Sequence, residues 1–170
     1  MADVVGYSRL MEHDEAGTHE RLRAIRETLI DSKIAEHGGR TVDTAGDGML
    51  LEFPSATAAL RCAVEVQREM GTRNLYVPPD EQIQFRVGIN LGDVIVEGER
   101  IIRGGVNVAA RIETLAEPGG ISVGSAVWEQ VHDDLGIEFI DSGEQYVKNI
   151  TKPVRVYRIA LSKGTVAGRP

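Results

Sequence analysis

Apolar residues recur at helical spacing over long stretches of this chain and at alternating spacing over short ones. From about Asp14 to His37, Leu22, Ile25 and Leu29 stand at i, i+3 and i+7, and Ile30 and Ile34 at i, i+4. That spacing predicts one helix, ended by Gly38 and Gly39. Pro54 and Ser55 open a second helix with Ala59, Leu60, Ala63, Val64 and Val66 on its stripe, and Gly71 is expected to close it. A third runs from about Gly105 to Ala116 and stops before Pro118, and a small one is expected around Val127. Residues 3–6 read as strand, and TVDTAGDGMLLEF (41–53) as a tight hairpin with Met49, Leu51 and Phe53 alternating on one face. In IQFRVGIN, Phe85, Val87 and Ile89 face one way, and Gln84, Arg86, Gly88 and Asn90 the other. VIVEGERII reads as a hairpin pointing away from the core, TRNLYVPPDEQ as a loop, and strands are expected near 120–123, 137–141, 145–148 and 154–160. The core order of strand, helix, two strands, helix and strand predicts an α+β fold, the ferredoxin-like βαββαβ arrangement with accessory strands and a short helix.

Length and composition narrow the function classes. The chain has 170 residues, 42% of them hydrophobic, which suits one domain over 1–162 with a flexible tail at 163–170. A net charge of −7 and no basic stripe argue against a nucleic-acid partner. Cys62 is the only cysteine, which excludes a disulfide framework, and the four histidines lack metal-finger spacing. No apolar run approaches a membrane span and no signal peptide is visible, so the expected place is the cytoplasm. Met1 leads straight into a strand, so an upstream part of that strand is expected to be missing from the sequence.

Three groups of polar residues could carry chemistry. Glycines flank Asp47 in the first hairpin and leave its carboxylate uncrowded, and Asp3 lies in another strand-like segment. If those strands are neighbours, two carboxylates meet at one sheet edge, an oxygen donor set for divalent cations that carry nucleotide phosphates. The alternative is a polar hairpin tip and an unrelated aspartate. Asn107 and Arg111, at i, i+4, share a helix face apart from the apolar stripe of Val108, Ile112 and Leu115. They suit a ribose oxygen and a phosphate gaining charge, or are a surface pair. Arg86 sits mid-strand on the polar face, as a phosphate clamp or a cross-sheet salt bridge.

The motifs ADVVGYSRLM, HGG, GDG, RVGIN, GDV, VNVAAR, LAEPGGI and PVRVYR together resemble the catalytic domain of class III adenylate and guanylate cyclases, in their bacterial group, from Ala2 to about Ile159. The resemblance implies that Asp3 and Asp47, with the Val4 carbonyl, hold two Mg²⁺ or Mn²⁺ ions on the triphosphate of ATP or GTP. It implies that Arg86 neutralises the triphosphate, Asn107 orients the ribose and Arg111 stabilises the transition state at the α-phosphate. Lys148 is near the lysine that grips the terminal phosphates, with Lys152 the competing choice. The product is a 3′,5′-cyclic nucleotide, a signalling molecule. It further implies a head-to-tail homodimer, with the metal aspartates and Arg86 from one chain and the base-reading residues, Asn107 and Arg111 from the other. Attached regulatory domains are common in such relatives.

The sequence departs from that pattern at the base. The resemblance expects a lysine where Asp43 stands and an aspartate where Arg100 stands, and both positions have reversed charge. Guanine donates from N1–H and N2–H₂ and accepts at O6, which suits Asp43 and Arg100 respectively, whereas adenine suits the usual pair. Family numbers favour ATP and residue chemistry favours GTP. Three other readings are open: an Asp43–Arg100 salt bridge filling the base pocket, use of either purine, and a silent nucleotide-binding or dimerisation module. Arg103 and Gly104 also replace the usual glycine and aspartate. A diguanylate cyclase would share the core, but its GGDEF hairpin sequence is absent.

Overall fold

The computed structural model describes residues 1–92, 95–97, 100–102, 104–133, 136–147 and 150–161, with only the backbone of 95–97, 100–102 and 104. The expected tail at 163–170 lies outside the described residues. β1 (Ala2–Val4) is followed by α1 (Tyr7–His13), α2 (Glu15–Ile25) and α3 (Asp31–Glu36). Next come β2 (Arg40–Ala45), β3 (Gly48–Glu52), α4 (Ala56–Asn74) and β4 (Phe85–Ile89). β5 (Ile95–Glu97) and β6 (Arg100–Ile102) precede α5 (Gly104–Thr114), β7 (Ile121–Gly124), α6 (Ser125–Val131), β8 (Glu138–Gln145) and β9 (Val154–Ala160). A seven-stranded sheet runs β2-β3-β1-β4-β7-β9-β8, and β5-β6 make a separate two-stranded sheet. The first four strands, β2-β3-β1-β4, pair antiparallel in the order of the ferredoxin-like core.

The sheet has two differently furnished faces. On one, Ala2, Val4, Met49 and Phe85 pack with Leu10, Leu22, Leu29, Ile34, Cys62 and Val66 from the helices. Further along that face, Ile89, Ile121 and Val123 pack with Leu60, Val64, Val127 and Val131. On the other, α5 lies on β4 and β7, with Val108 and Ile112 packed against Val147 and Val156. Small residues let it approach. A Cβ on Gly88 would fall 2.3 Å from the Glu113 backbone nitrogen and 2.5 Å from the Ala109 carbonyl oxygen, so only glycine fits there. Ser122, paired with Gly88, is fully buried, and a Cβ on Gly124 would already touch Ile112 at 3.3 Å. Beside α5 on this face, Asp3 and Arg86 are only partly buried.

Several expectations need correction. α1 was not anticipated: only Leu10 of its seven residues is buried, too little for a periodic signal. The long helix is capped by Asp14, whose Oδ1 accepts from the Gly17 N–H at 2.9 Å, and it contains a π-helical turn at Arg26–Ile30. That turn absorbs the phase slip between the Leu22 series and the Ile30 series, so the neighbours Leu29 and Ile30 are both buried. Strand β1 ends at Val4, not at residue 6, because Gly6 turns the chain at φ +62°. α4 continues through Gly71 to Asn74, since nothing crowds that glycine and helix hydrogen bonding simply carries on. The two strands expected at 137–141 and 145–148 are one, β8. Its register shift between Asp141 and Glu144 takes up Gly143 at φ +79°, where the Asp141 carboxylate accepts from the Gly143 N–H.

Candidate functional site

β1 sits between β3 and β4, and this places three of the singled-out residues side by side. Asp3 pairs with Arg86 across the β1–β4 ladder, so both side chains leave the second face. β2 and β3 pair as far as Ala45 and Gly48, leaving a two-residue turn in which Gly46 adopts φ +59° and Asp47 is held beside the end of β1. The Val4 N–H donates to Asp3 Oδ1 at 2.9 Å and to Asp47 Oδ2 at 3.2 Å. Asp3 and Asp47 thus meet at one backbone donor.

That meeting perturbs Asp3. Its pKa is pushed up to about 7, first by burial, then by its hydrogen bond with Asp47 and the Asp47 charge, with Glu113 adding a smaller push. The Val4 N–H opposes the rise. Two half-buried carboxylates that repel each other are a donor set that a hard divalent cation would relieve. The residues therefore fit the expected metal site.

Glu113 is the residue that reading the sequence missed. In RIET it passes for a solvated helix charge, yet it is 5% exposed. Its carboxyl is held above the usual range by burial, Arg86 draws it back down, and Asp47 pushes it up. The available signal was Gly88: a glycine on the polar face of a strand marks the close approach of another backbone, here that of Glu113.

Among the described residues, none of the remaining singled-out side chains is hydrogen-bonded or ion-paired to this cluster. Asn107 and Arg111 are exposed on α5, and among the described residues neither is hydrogen-bonded to Asp3, Asp47 or Arg86. Asp43 is exposed on edge strand β2 opposite Leu50, at a register shift. Arg100 belongs to β6 opposite Glu97, with only its backbone described. Lys148 and Arg103 lie outside the described residues, whereas Lys152 is exposed in the bend before β9. Elsewhere, Glu36, His37 and Glu65 gather their ligand atoms within 4.8 Å, but the Lys33 ammonium already stands 3.0 Å from both carboxylates. No described helix is long and apolar enough to cross a membrane.

The chain as a whole is similar to known proteins. The profile described as "Adenylate and Guanylate cyclase catalytic domain" matches residues 1–161. The chain is 47% identical over 156 residues to the "Putative adenylate cyclase 3" of Rhizobium meliloti, covering 92% of this chain and 27% of that protein. It is 32% identical over 134 residues to an adenylate cyclase of Streptomyces coelicolor, covering 76% of this chain and 32% of that one. A crystal structure of an "Adenylate/Guanylate Cyclase/Hydrolase" from Silicibacter pomeroyi superposes with a TM-score of 0.85 at 48% identity, over 93% of this chain and 92% of that one. The chain thus spans about a quarter to a third of the length of these two curated relatives.

Proposed function

This chain belongs to the adenylate and guanylate cyclase catalytic-domain family, and from that premise we propose that it cyclises a purine nucleoside triphosphate, ATP or GTP. The products are the 3′,5′-cyclic nucleotide, for intracellular signalling, and pyrophosphate. The observation that carries the reading is the convergence of Asp3 and Asp47 on one backbone N–H, on the strand that pairs with Arg86.

In this reading the ribose 3′-hydroxyl gives its proton to water and its oxygen attacks the α-phosphorus, while the bond from that phosphorus to the bridging oxygen breaks and pyrophosphate leaves. The chain supplies positioning and charge for this intramolecular displacement. Asp3, Asp47 and the Val4 carbonyl would hold two Mg²⁺ or Mn²⁺ ions, which lower the pKa of the 3′-hydroxyl and screen the phosphates. Arg86 neutralises the triphosphate, and Lys148 or Lys152 grips its far end. Asn107 and Arg111 are exposed and make no hydrogen bond to the acidic cluster, which supports a second copy supplying them, Asn107 to the ribose and Arg111 to the α-phosphate. A head-to-tail homodimer with two shared sites follows, and each copy alone is inactive.

For the base, the exposed Asp43 stands where the family pattern expects a lysine. Its acceptor oxygens match guanine N1–H and N2–H₂, and Arg100 would donate to O6. We infer a preference for GTP. The test is concentrated protein with Mn²⁺ and either ATP or GTP, scored for cyclic product. Product that disappears on dilution supports the shared site, and turnover of ATP but not GTP rejects the base assignment. Absence of product from both leaves the family's silent binding or dimerisation role as the reading.

A further inference from the structure

Glu113 has no part in the mechanism above, although a carboxylate held at 5% exposure calls for a reason. Its place is fixed by backbone packing. Gly88 brings β4 so close that a Cβ there would lie 2.6 Å from the Glu113 Cα, and Arg86 leaves the same face two residues earlier. Arg86 is the leading charge that counteracts the burial of Glu113. The two make no direct ion pair among the described residues, and Arg86 Nε is buried without a hydrogen-bond partner. An offset counter-charge of this kind steadies a guanidinium without occupying the donor fork that a phosphate needs.

We propose that Glu113 is the positioning residue for Arg86, aiming its guanidinium at the phosphates of a nucleotide held at Asp3 and Asp47. The inference rests on the cyclase reading and deepens it. It gives α5 two duties, because Glu113 points inward to its own chain's site while Asn107 and Arg111 face outward to the partner's. The helix is seated on Gly88, Ser122 and Gly124, so its two faces move together.

Nucleotide binding tests this without needing turnover. Glu113→Gln keeps the shape and removes the charge; it is expected to weaken ATP and GTP about tenfold while AMP and GMP bind as before. In an Arg86→Ala background the same substitution should have no further effect, since the two act as a unit. Equal weakening of mono- and triphosphates, or an additive double variant, overturns the proposal. Glu113→Asp, which keeps the charge, should recover part of the triphosphate affinity, and thermal unfolding of each variant reports whether the fold survives.

Mixed dimers add a second readout. One chain carries Asp47→Ala and the other Arg111→Ala, so a single site remains, with its aspartates from the second chain and its Arg111 from the first. The loss caused by Glu113→Gln should follow the chain that keeps Asp47. Equal losses from either chain would mean that Glu113 acts through general packing or its helix neighbour Arg111, and the positioning role is then wrong. Should the unsubstituted protein make no cyclic product at all, the cyclase reading fails while the binding comparison still decides the role of Glu113.

Discussion

The carboxylates of Asp3 and Asp47 accept from the same backbone N–H, that of Val4, at 2.9 and 3.2 Å. One donor cannot satisfy two carboxylates, and the chain folds around that conflict. In the proposed reading the arrangement is costly without a cation and favourable with one, which separates the effects of substitution on stability and on activity.

Asp47→Asn is accordingly expected to abolish cyclic nucleotide formation while raising the metal-free unfolding temperature by about 2 °C, measured at pH 8 in chelator. An unchanged or lower unfolding temperature would show that the pair is not in conflict.

The pH dependence has a definite sign. The folded pKa of Asp3, about 7, lies above its ordinary 3.8, so the folded state holds a proton that the unfolded state releases. Its stabilising contribution is fully present below about pH 4 and is lost as pH rises to about 7. Denaturant unfolding in chelator should show this loss over that window. Millimolar Mn²⁺ should restore stability at the upper end, because the cation takes the proton's place.

Gly88→Ala places a Cβ against the α5 backbone, which cannot swing aside as a side chain can. A destabilisation of about 1–3 kcal/mol is expected, with triphosphate affinity falling alongside. Gly124→Ala meets the ends of Ile112 and Asn90 at 3.3 and 3.2 Å and should cost less. Urea titrations of the two variants decide the order.

Asp43→Lys with Arg100→Asp should move the ratio of kcat/KM toward ATP by about a hundredfold, by reversing which base edge is satisfied. Steady-state rates with both nucleotides check it. No change would place the two residues away from the base.

The parts of the fold that were legible are those whose pattern repeats. Alternation in IQFRVGIN gave the faces of β4 correctly, and the Ser55 cap and its stripe marked the start of α4. The rest was set by partners far along the chain. The two apolar series around Leu29 and Ile30 carried the trace of the π turn, but either alone fits a straight helix. Asp3 and Asp47 were readable as a pair only conditionally, since nothing local says that β1 lies between β3 and β4. Glu113 was invisible because its charge argues for solvent, and only its seat on Gly88 puts it inside.

The turn between β2 and β3 has two residues, and the pairing reaches Ala45 and Gly48 on either side. Asp47 consequently has no slack of its own. Any movement of Asp47 must be shared with both paired strands, whose ladder is continuous from the turn back to the register shift between Thr41 and Asp43.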